Sequence, residues 1–299
     1  MPETGHICNP KKFYLTGMVA FLGTGLLGGN FTKALLAKGE SVQVWNRSID
    51  KARALEAHGA MVFDNPADAV RGAQRVHIVV SDDDAVNSVL AAAEKGLEPG
   101  AIIIDHTTTT VEGAIYRTEQ WKAKGYTYVH VPVFMGPANA LEGTGYMLIS
   151  GDVNVAQQVT PWLEPMTGQV LNFGEETGKA AGIKLVGNLF LLSLTASLSD
   201  MLALGSSVGI SGGDIARLLD VWNPGAATPA RLHRVLKNDF DKPSWELQMA
   251  RKDARLMIQE AARGGKTLPA TEAIARQMDE WIAKGYAKKD WMIVASGSL

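Results

Sequence analysis

MVAFLGTGLLGGNFTKALLAKG, residues 18–39, sets the architecture. Residues 18–22 form a continuous apolar run, as a strand buried on both faces does. Gly23-Thr24-Gly25-Leu26-Leu27-Gly28 follow, and a helical pattern then runs on until Gly39. Strand, GxGxxG and helix in that order make a dinucleotide-binding turn. Gly23 permits the tight turn, Gly25 lets backbone approach a pyrophosphate, and Gly28 permits close packing of helix on strand. The helix N-terminus adds free N–H groups for the phosphates.

The chain continues in the same alternating style. A strand at residues 41–45 ends in Asn46-Arg47-Ser48, where a unit selective for NAD would place an acid for the ribose 2′-hydroxyl. An arginine there accommodates a 2′-phosphate, so NADP is expected over NAD. A helix at 49–58, a strand at 61–63, a helix opening at Asn65-Pro66 and a strand at 75–80 predict a parallel, doubly wound sheet. Ser81-Asp82-Asp83-Asp84 open the next helix with an N-cap and first-turn acids, which accounts for them without a metal. The Val80-Ser81 backbone stands at the carboxyl end of its strand, the edge where such sheets bind ligands, and is expected to touch the cofactor. A strand at 101–105 enters His106-Thr107-Thr108-Thr109-Thr110, whose hydroxyls either cap the following helix or bond the nicotinamide ribose. A strand pair at 127–131 and 146–150 brackets a glycine and proline loop, and a helix at 155–166 and a strand at 170–173 end this half.

GKAAGIKLVGNLFLLSLTASLSDMLALGSS, residues 178–207, lacks proline and is apolar on nearly every side, so one long, mostly buried helix is expected. Lys184 and Asn188, four residues apart, share a face, and Gly187 leaves room beside them. An ammonium among Ile183, Leu185 and Val186 either snorkels to solvent or has a lowered pKa. Helical patterns recur at 215–221, 228–236, 245–262 and 268–284, without a convincing strand. Trp245, Met249, Lys252 and Leu256 share one face; Lys252 beside Asp253 reads either as a surface ion pair or as a cleft position. The fold class is α/β: a Rossmann-type doubly wound sheet, then an all-helical domain, joined by a long inter-domain helix. The divisions are a polar leader at 1–15, an NADP-binding domain at 16–176 and a helical substrate and dimerisation domain at 177–299.

A net charge of -2 and the lack of a basic run set aside nucleic acid and anionic lipid as partners. Cys8 is the single cysteine, so no disulfide framework and no metal site are expected, and a reducing cytoplasm fits. Lys11-Lys12 before an apolar run resembles a secretory signal superficially, but a small-residue cleavage site is missing and the strand reading is preferred. The long helix carries Lys184, Asn188 and Asp200, so it is expected not to span a membrane.

From about residue 18 to 283 the sequence resembles the β-hydroxyacid dehydrogenase family, which includes 3-hydroxyisobutyrate dehydrogenases and glyoxylate or succinic semialdehyde reductases. The resemblance rests on the glycine loop at 21–28, on Val44-Trp45-Asn46-Arg47-Ser48, on a GxxxKxxxN-like run from Gly178 with Lys184 and Asn188, and on Lys252-Asp253 with Leu256. It implies an NADPH-dependent oxidoreductase acting on a small carbonyl compound, as a homodimer or tetramer. It makes Lys184 the catalytic acid/base and Asn188 the residue that orients substrate, brings Thr108 to the nicotinamide ribose, and closes Lys252 over the cofactor. Phe134, Met135, Gly136 and Trp245 would line the substrate site. Where the family reads DAPVSGG, this chain reads His130-Val131-Pro132-Val133-Phe134-Met135-Gly136, with Phe134 and Met135 in place of a serine and a glycine that bind the substrate carboxylate. Imine reductases are similar too but commonly lack the lysine, and 6-phosphogluconate enzymes carry a histidine where Gly187 stands. Reduction of a C=N bond, or a nucleotide-binding module without turnover, are the alternatives.

Overall fold

The computed structural model describes residues 17–298; the polar leader, Cys8 and the Lys11-Lys12 pair lie outside the described residues. The chain divides into two compact units, one ending at Gly187 and the other beginning at Asn188.

In the first unit the strands β1 (Met18–Leu22), β2 (Val42–Trp45), β3 (Met61–Val62), β4 (Ala73–Ile78), β5 (Ile102–Asp105) and β6 (Thr127–His130) form one sheet in the order β3-β2-β1-β4-β5-β6. Every pairing in it is parallel. The helices α1 (Leu26–Ala37), α2 (Ile49–Arg53), α3 (Pro66–Ala69), α4 (Asp83–Ala93) and α5 (Val111–Ala123) alternate with those strands. This is the doubly wound order, and it reverses between β1 and β4, which places the ligand crevice beyond their carboxyl ends. Apolar side chains cover both faces of the sheet. Phe21, Val44 and Ile104 belong to one cluster, and Leu22, Ile78 and Ile103 to the other. Parallel strands read as unbroken apolar runs for this reason.

The two strands expected as a pair belong to different sheets. After β6 the chain forms β7 (Val133–Phe134), α6 (Pro137–Glu142), β8 (Tyr146–Ile149), α7 (Val153–Leu163) and β9 (Gln169–Asn172), and β8 lies between β7 and β9 in a separate three-stranded sheet. Part of the expected loop is thus β7 and α6. Two-residue strands and six-residue helices are too short for a hydrophobic period to declare them.

The helix α8 (Lys179–Ser207) forms as expected in extent, but it is not mostly buried. Ala180, Ala181 and Lys184 are buried near its start and Asp200 near its end, whereas Leu185, Val186, Leu189, Phe190, Leu192 and Leu194 are exposed. An apolar surface on every side announces that a helix is to be covered, but it does not say that its own chain supplies the cover. The second unit holds α9 (Gly212–Val221), α10 (Thr228–Leu236), α11 (Leu247–Arg263) and α12 (Pro269–Trp281), with Val235, Phe240, Leu247, Met278 and Ile293 in its core. Asp200 explains itself here: its carboxylate accepts from the Thr271 N–H at 2.8 Å and hydroxyl at 2.9 Å, in the first turn of α12.

Candidate active site

The turn after β1 has the shape of a phosphate seat. Gly23 takes φ +96°, which favours glycine, and a Cβ there would stand 2.1 Å from the Val79 carbonyl oxygen. A Cβ on Gly28 would stand 2.0 Å from the Gly23 carbonyl oxygen, so α1 packs on the turn only because neither residue has a side chain. Gly25, at the N-cap of α1, is the opposite case: nothing lies within 4 Å of its Cβ position, leaving open space before the free N–H groups of the helix. Beside it Thr24 is 5% exposed, and its hydroxyl has no partner among the described residues. An open backbone cradle with an orphaned buried hydroxyl fits a pyrophosphate. Leu26 faces out at 80% exposure, and Leu27 packs on the core.

The end of β2 is stitched to this turn. The Thr24 N–H donates to Asn46 Oδ1 at 2.9 Å, and Asn46 Nδ2 donates to the Ser48 carbonyl at 2.9 Å. Ser48 holds the N-cap position of α2, but its hydroxyl makes no capping bond, and Arg47 is exposed beside it. A guanidinium and a hydroxyl that does not cap its helix stand where a unit selective for NAD would place an acid.

Two loops leave the carboxyl ends of β4 and β5, and a buried polar network joins them. The Val80 N–H donates to Thr107 Oγ1 at 3.1 Å, the Thr107 N–H to Asp105 Oδ1 at 2.8 Å, and the Thr110 N–H to Asp83 Oδ2 at 2.9 Å. Asp82 caps α4 through the Ala85 N–H, and Thr110 caps α5 through the Gly113 N–H. The acids of residues 82–84 thus serve helix ends and the loop junction. Ser81 and Thr108 remain exposed at this edge. Underneath, His106 donates from Nδ1 to the Val131 carbonyl at 2.9 Å, so its Nε2 accepts from His77 Nδ1 at 2.9 Å. Burial lowers the pKa of both rings, that of His106 to about 4. Tyr128 donates to Asp105 at 2.6 Å, and the buried Arg117 pairs with Asp83 at 2.8 Å. Residue-by-residue reading missed this network. Its signal was present: polar residues recur near neighbouring strand ends, His77 one position before the end of β4 and Asp105 at the end of β5, paired with His130 at the end of β6.

Lys184 is 9% exposed, and burial lowers its pKa. Its ammonium lies over the Phe134 ring, 4.3 Å from the centroid. Asn188 is half-buried one turn further along α8. Ala180 stands at the glycine position of the GxxxKxxxN pattern, and its N–H donates to Ser150 Oγ. Met135 packs against the core, and a Cβ on Gly145 would approach its Cγ to 2.9 Å. The Gly136 N–H is already engaged by Asn139 Oδ1 at 2.9 Å, and Pro137 follows. Neither residue 136 nor residue 137 therefore has a free N–H for an anion. In the second unit, Lys252 pairs with Asp253 at 2.7 Å on the surface, and Trp245 packs edge-on against Trp291.

Residues 18–174, more than half the chain, match the family model of the NAD binding domain of 6-phosphogluconate dehydrogenase. Residues 178–296 match that described as NAD-binding of NADP-dependent 3-hydroxyisobutyrate dehydrogenase. The 3-sulfolactaldehyde reductase of Escherichia coli is 25% identical over 281 residues, 92% of this chain and 94% of that protein. Glyoxylate/succinic semialdehyde reductase 1 of Arabidopsis thaliana is 28% identical over 262 residues, 85% and 89% of the two chains. Among solved structures, the imine reductase from Myxococcus stipitatus in complex with NADP+ superposes with a TM-score of 0.87 at 20% identity, over 93% of this chain and 98% of that one. That last likeness is one of fold.

Proposed function

Because the chain belongs to the β-hydroxyacid dehydrogenase family and is an NAD(P)-dependent oxidoreductase of hydroxyl or carbonyl groups, we propose that it works with NADPH and that Lys184 is its acid/base. The observation that carries the reading is Lys184 itself, an ammonium buried with no counter-ion among the described residues, one helical turn from Asn188. A buried, unpaired cation is costly to the fold, and titratable groups shifted in this way cluster at functional sites. The bound dihydronicotinamide supplies the hydride, or its oxidised form receives it. Lys184 donates a proton to the carbonyl oxygen in reduction and takes one from the hydroxyl in oxidation, and its charge stabilises the developing alkoxide. Asn188 orients the substrate oxygen. Thr24, Gly25 and the first turn of α1 hold the pyrophosphate, while Arg47 and Ser48 hold the 2′-phosphate. Val80, Ser81 and Thr108 border the nicotinamide side.

The substrate class follows from residues 134–136. With the Gly136 N–H occupied and an aromatic ring at 134, a small carboxylate loses donors that this loop would supply, so a bulkier, uncharged aldehyde or ketone is favoured. The exposed apolar flank of α8 supports a homodimer, and the single cysteine supports a cytoplasmic location. A panel of aldehydes, ketones, small hydroxyacids and cyclic imines, followed by loss of nicotinamide absorbance with NADPH and with NADH, tests the reading. Turnover of an aldehyde or ketone, faster with NADPH, is expected. Turnover of imines alone would replace C=O by C=N, and cofactor binding without turnover would leave a nucleotide-binding module.

A further inference from the structure

Phe134 and Gly187 interlock. The ring of Phe134, on β7, reaches α8 at Gly187, and a Cβ at position 187 would stand 2.2 Å from its Cζ and 2.8 Å from Cε1. Overlap of that depth means the ring keeps its seat only while residue 187 has no side chain. The same ring carries the ammonium of Lys184, three residues earlier on the helix and so on the adjoining face. Among the described residues, Lys184 has no ion-pair partner, and burial lowers its pKa. The aromatic face at 4.3 Å is a group that favours its charged form. Phe134 is strongly held from behind, since β7 pairs with β8 through Val133–Met147 and Phe134–Tyr146.

We propose that Phe134 is a positioning residue for Lys184: seated against Gly187, its ring holds the ammonium on its face and turns the remaining N–H bonds toward the substrate oxygen. This deepens the assignment of Lys184 as acid/base and rests on it. An aromatic face steadies a cation without the full negative charge of a carboxylate, which would fix the proton on the lysine and make it a poor donor. The ring and a catalytic proton are therefore compatible, as an ion pair would not be.

Whole protein with a Cε isotope label in lysine permits Lys184 to be titrated by NMR without any substrate, its resonance assigned by its loss in Lys184→Met. Phe134→Leu, which keeps the burial and removes the π face, should lower the Lys184 pKa by roughly half a unit to one unit, a cation–π interaction of ordinary strength. Gly187→Ala should produce a similar shift by displacing the ring, and should add little further when Phe134 is already leucine. With an identified substrate, Phe134→Leu should move the alkaline limb of the kcat profile for reduction to lower pH by the same amount. An unchanged Lys184 pKa in Phe134→Leu, or additive shifts from the two substitutions, overturns the proposal even if Lys184 proves essential for turnover. If instead Lys184→Met retains turnover while the titration behaves as stated, the acid/base assignment fails and the contact between ring and ammonium stands.

Discussion

Lys184 is a buried cation and Arg47 an exposed one at the end of β2, and each yields a direct test of the role proposed for it. Lys184→Ala should lower turnover by roughly two orders of magnitude or more, the usual scale of acid/base catalysis, and leave the Kd for NADPH nearly unchanged. The split follows from position: the ammonium lies on Phe134, whereas the phosphate seat is proposed at residues 23–28. Steady-state rates and a fluorescence titration of the bound nicotinamide measure the two quantities, and near-normal turnover would return Lys184 to a structural cation. Arg47→Asp should weaken NADPH and favour NADH, since it replaces a phosphate partner by an acceptor for the ribose hydroxyl. Ser48 contributes a hydroxyl that does not cap its helix, so Ser48→Ala should weaken NADPH more than NADH. Wild-type protein that binds both cofactors equally at ordinary salt would remove the assignment of this pair.

At the scale of elements, the ends of β4, β5 and β6 are held together by histidines that stay neutral. The folded pKa of His106 is about 4 and that of His77 also lies well below 6.5, chiefly through burial. Between the folded and unfolded values the unfolded chain binds more protons, so stability is complete above about pH 6.5 and declines as pH falls toward 4. The His106 shift alone corresponds to roughly 3 kcal/mol at the acid end of that window. The urea midpoint should accordingly fall between pH 6.5 and 4.5, and less steeply in His106→Asn, which keeps a donor toward Val131; equal slopes would exonerate the histidine. These elements also show what could be read beforehand. Residues 18–28 gave strand, turn and helix because each glycine answers a local steric need, and the long apolar strands announced a parallel sheet. The short β7 and α6 left no period to read, and the ring of Phe134 against Gly187 joins residues fifty-three positions apart (187 − 134) through packing that no local pattern carries.

For the molecule as a whole, α8 poses the largest unanswered demand. Leu185, Leu189 and Leu192 recur at helical spacing on one face, with Leu189 64% and Leu192 70% exposed. By length and composition alone this helix could cross a membrane, with a mean hydropathy of 1.5 over eighteen residues. Its ends argue for a different cover. Lys184 is buried near its start within the first unit, and Asp200 is buried near its other end, bonded to Thr271 within the second, so a span in hydrocarbon would carry both ionisable groups and their folded surroundings. A second copy of the chain offers the matching apolar surface without that penalty, and closed twofold pairing is the commonest way to use it. The protein should therefore run in light scattering at twice its 32.0 kDa without detergent, and Leu189→Glu with Leu192→Glu should yield the 32.0 kDa species. The substitutions place charges on exposed positions, so the units should keep their far-ultraviolet circular dichroism while the association is lost. A wild-type protein that is monomeric in buffer, or that leaves the membrane fraction only with detergent, would show that something other than a second copy covers this helix.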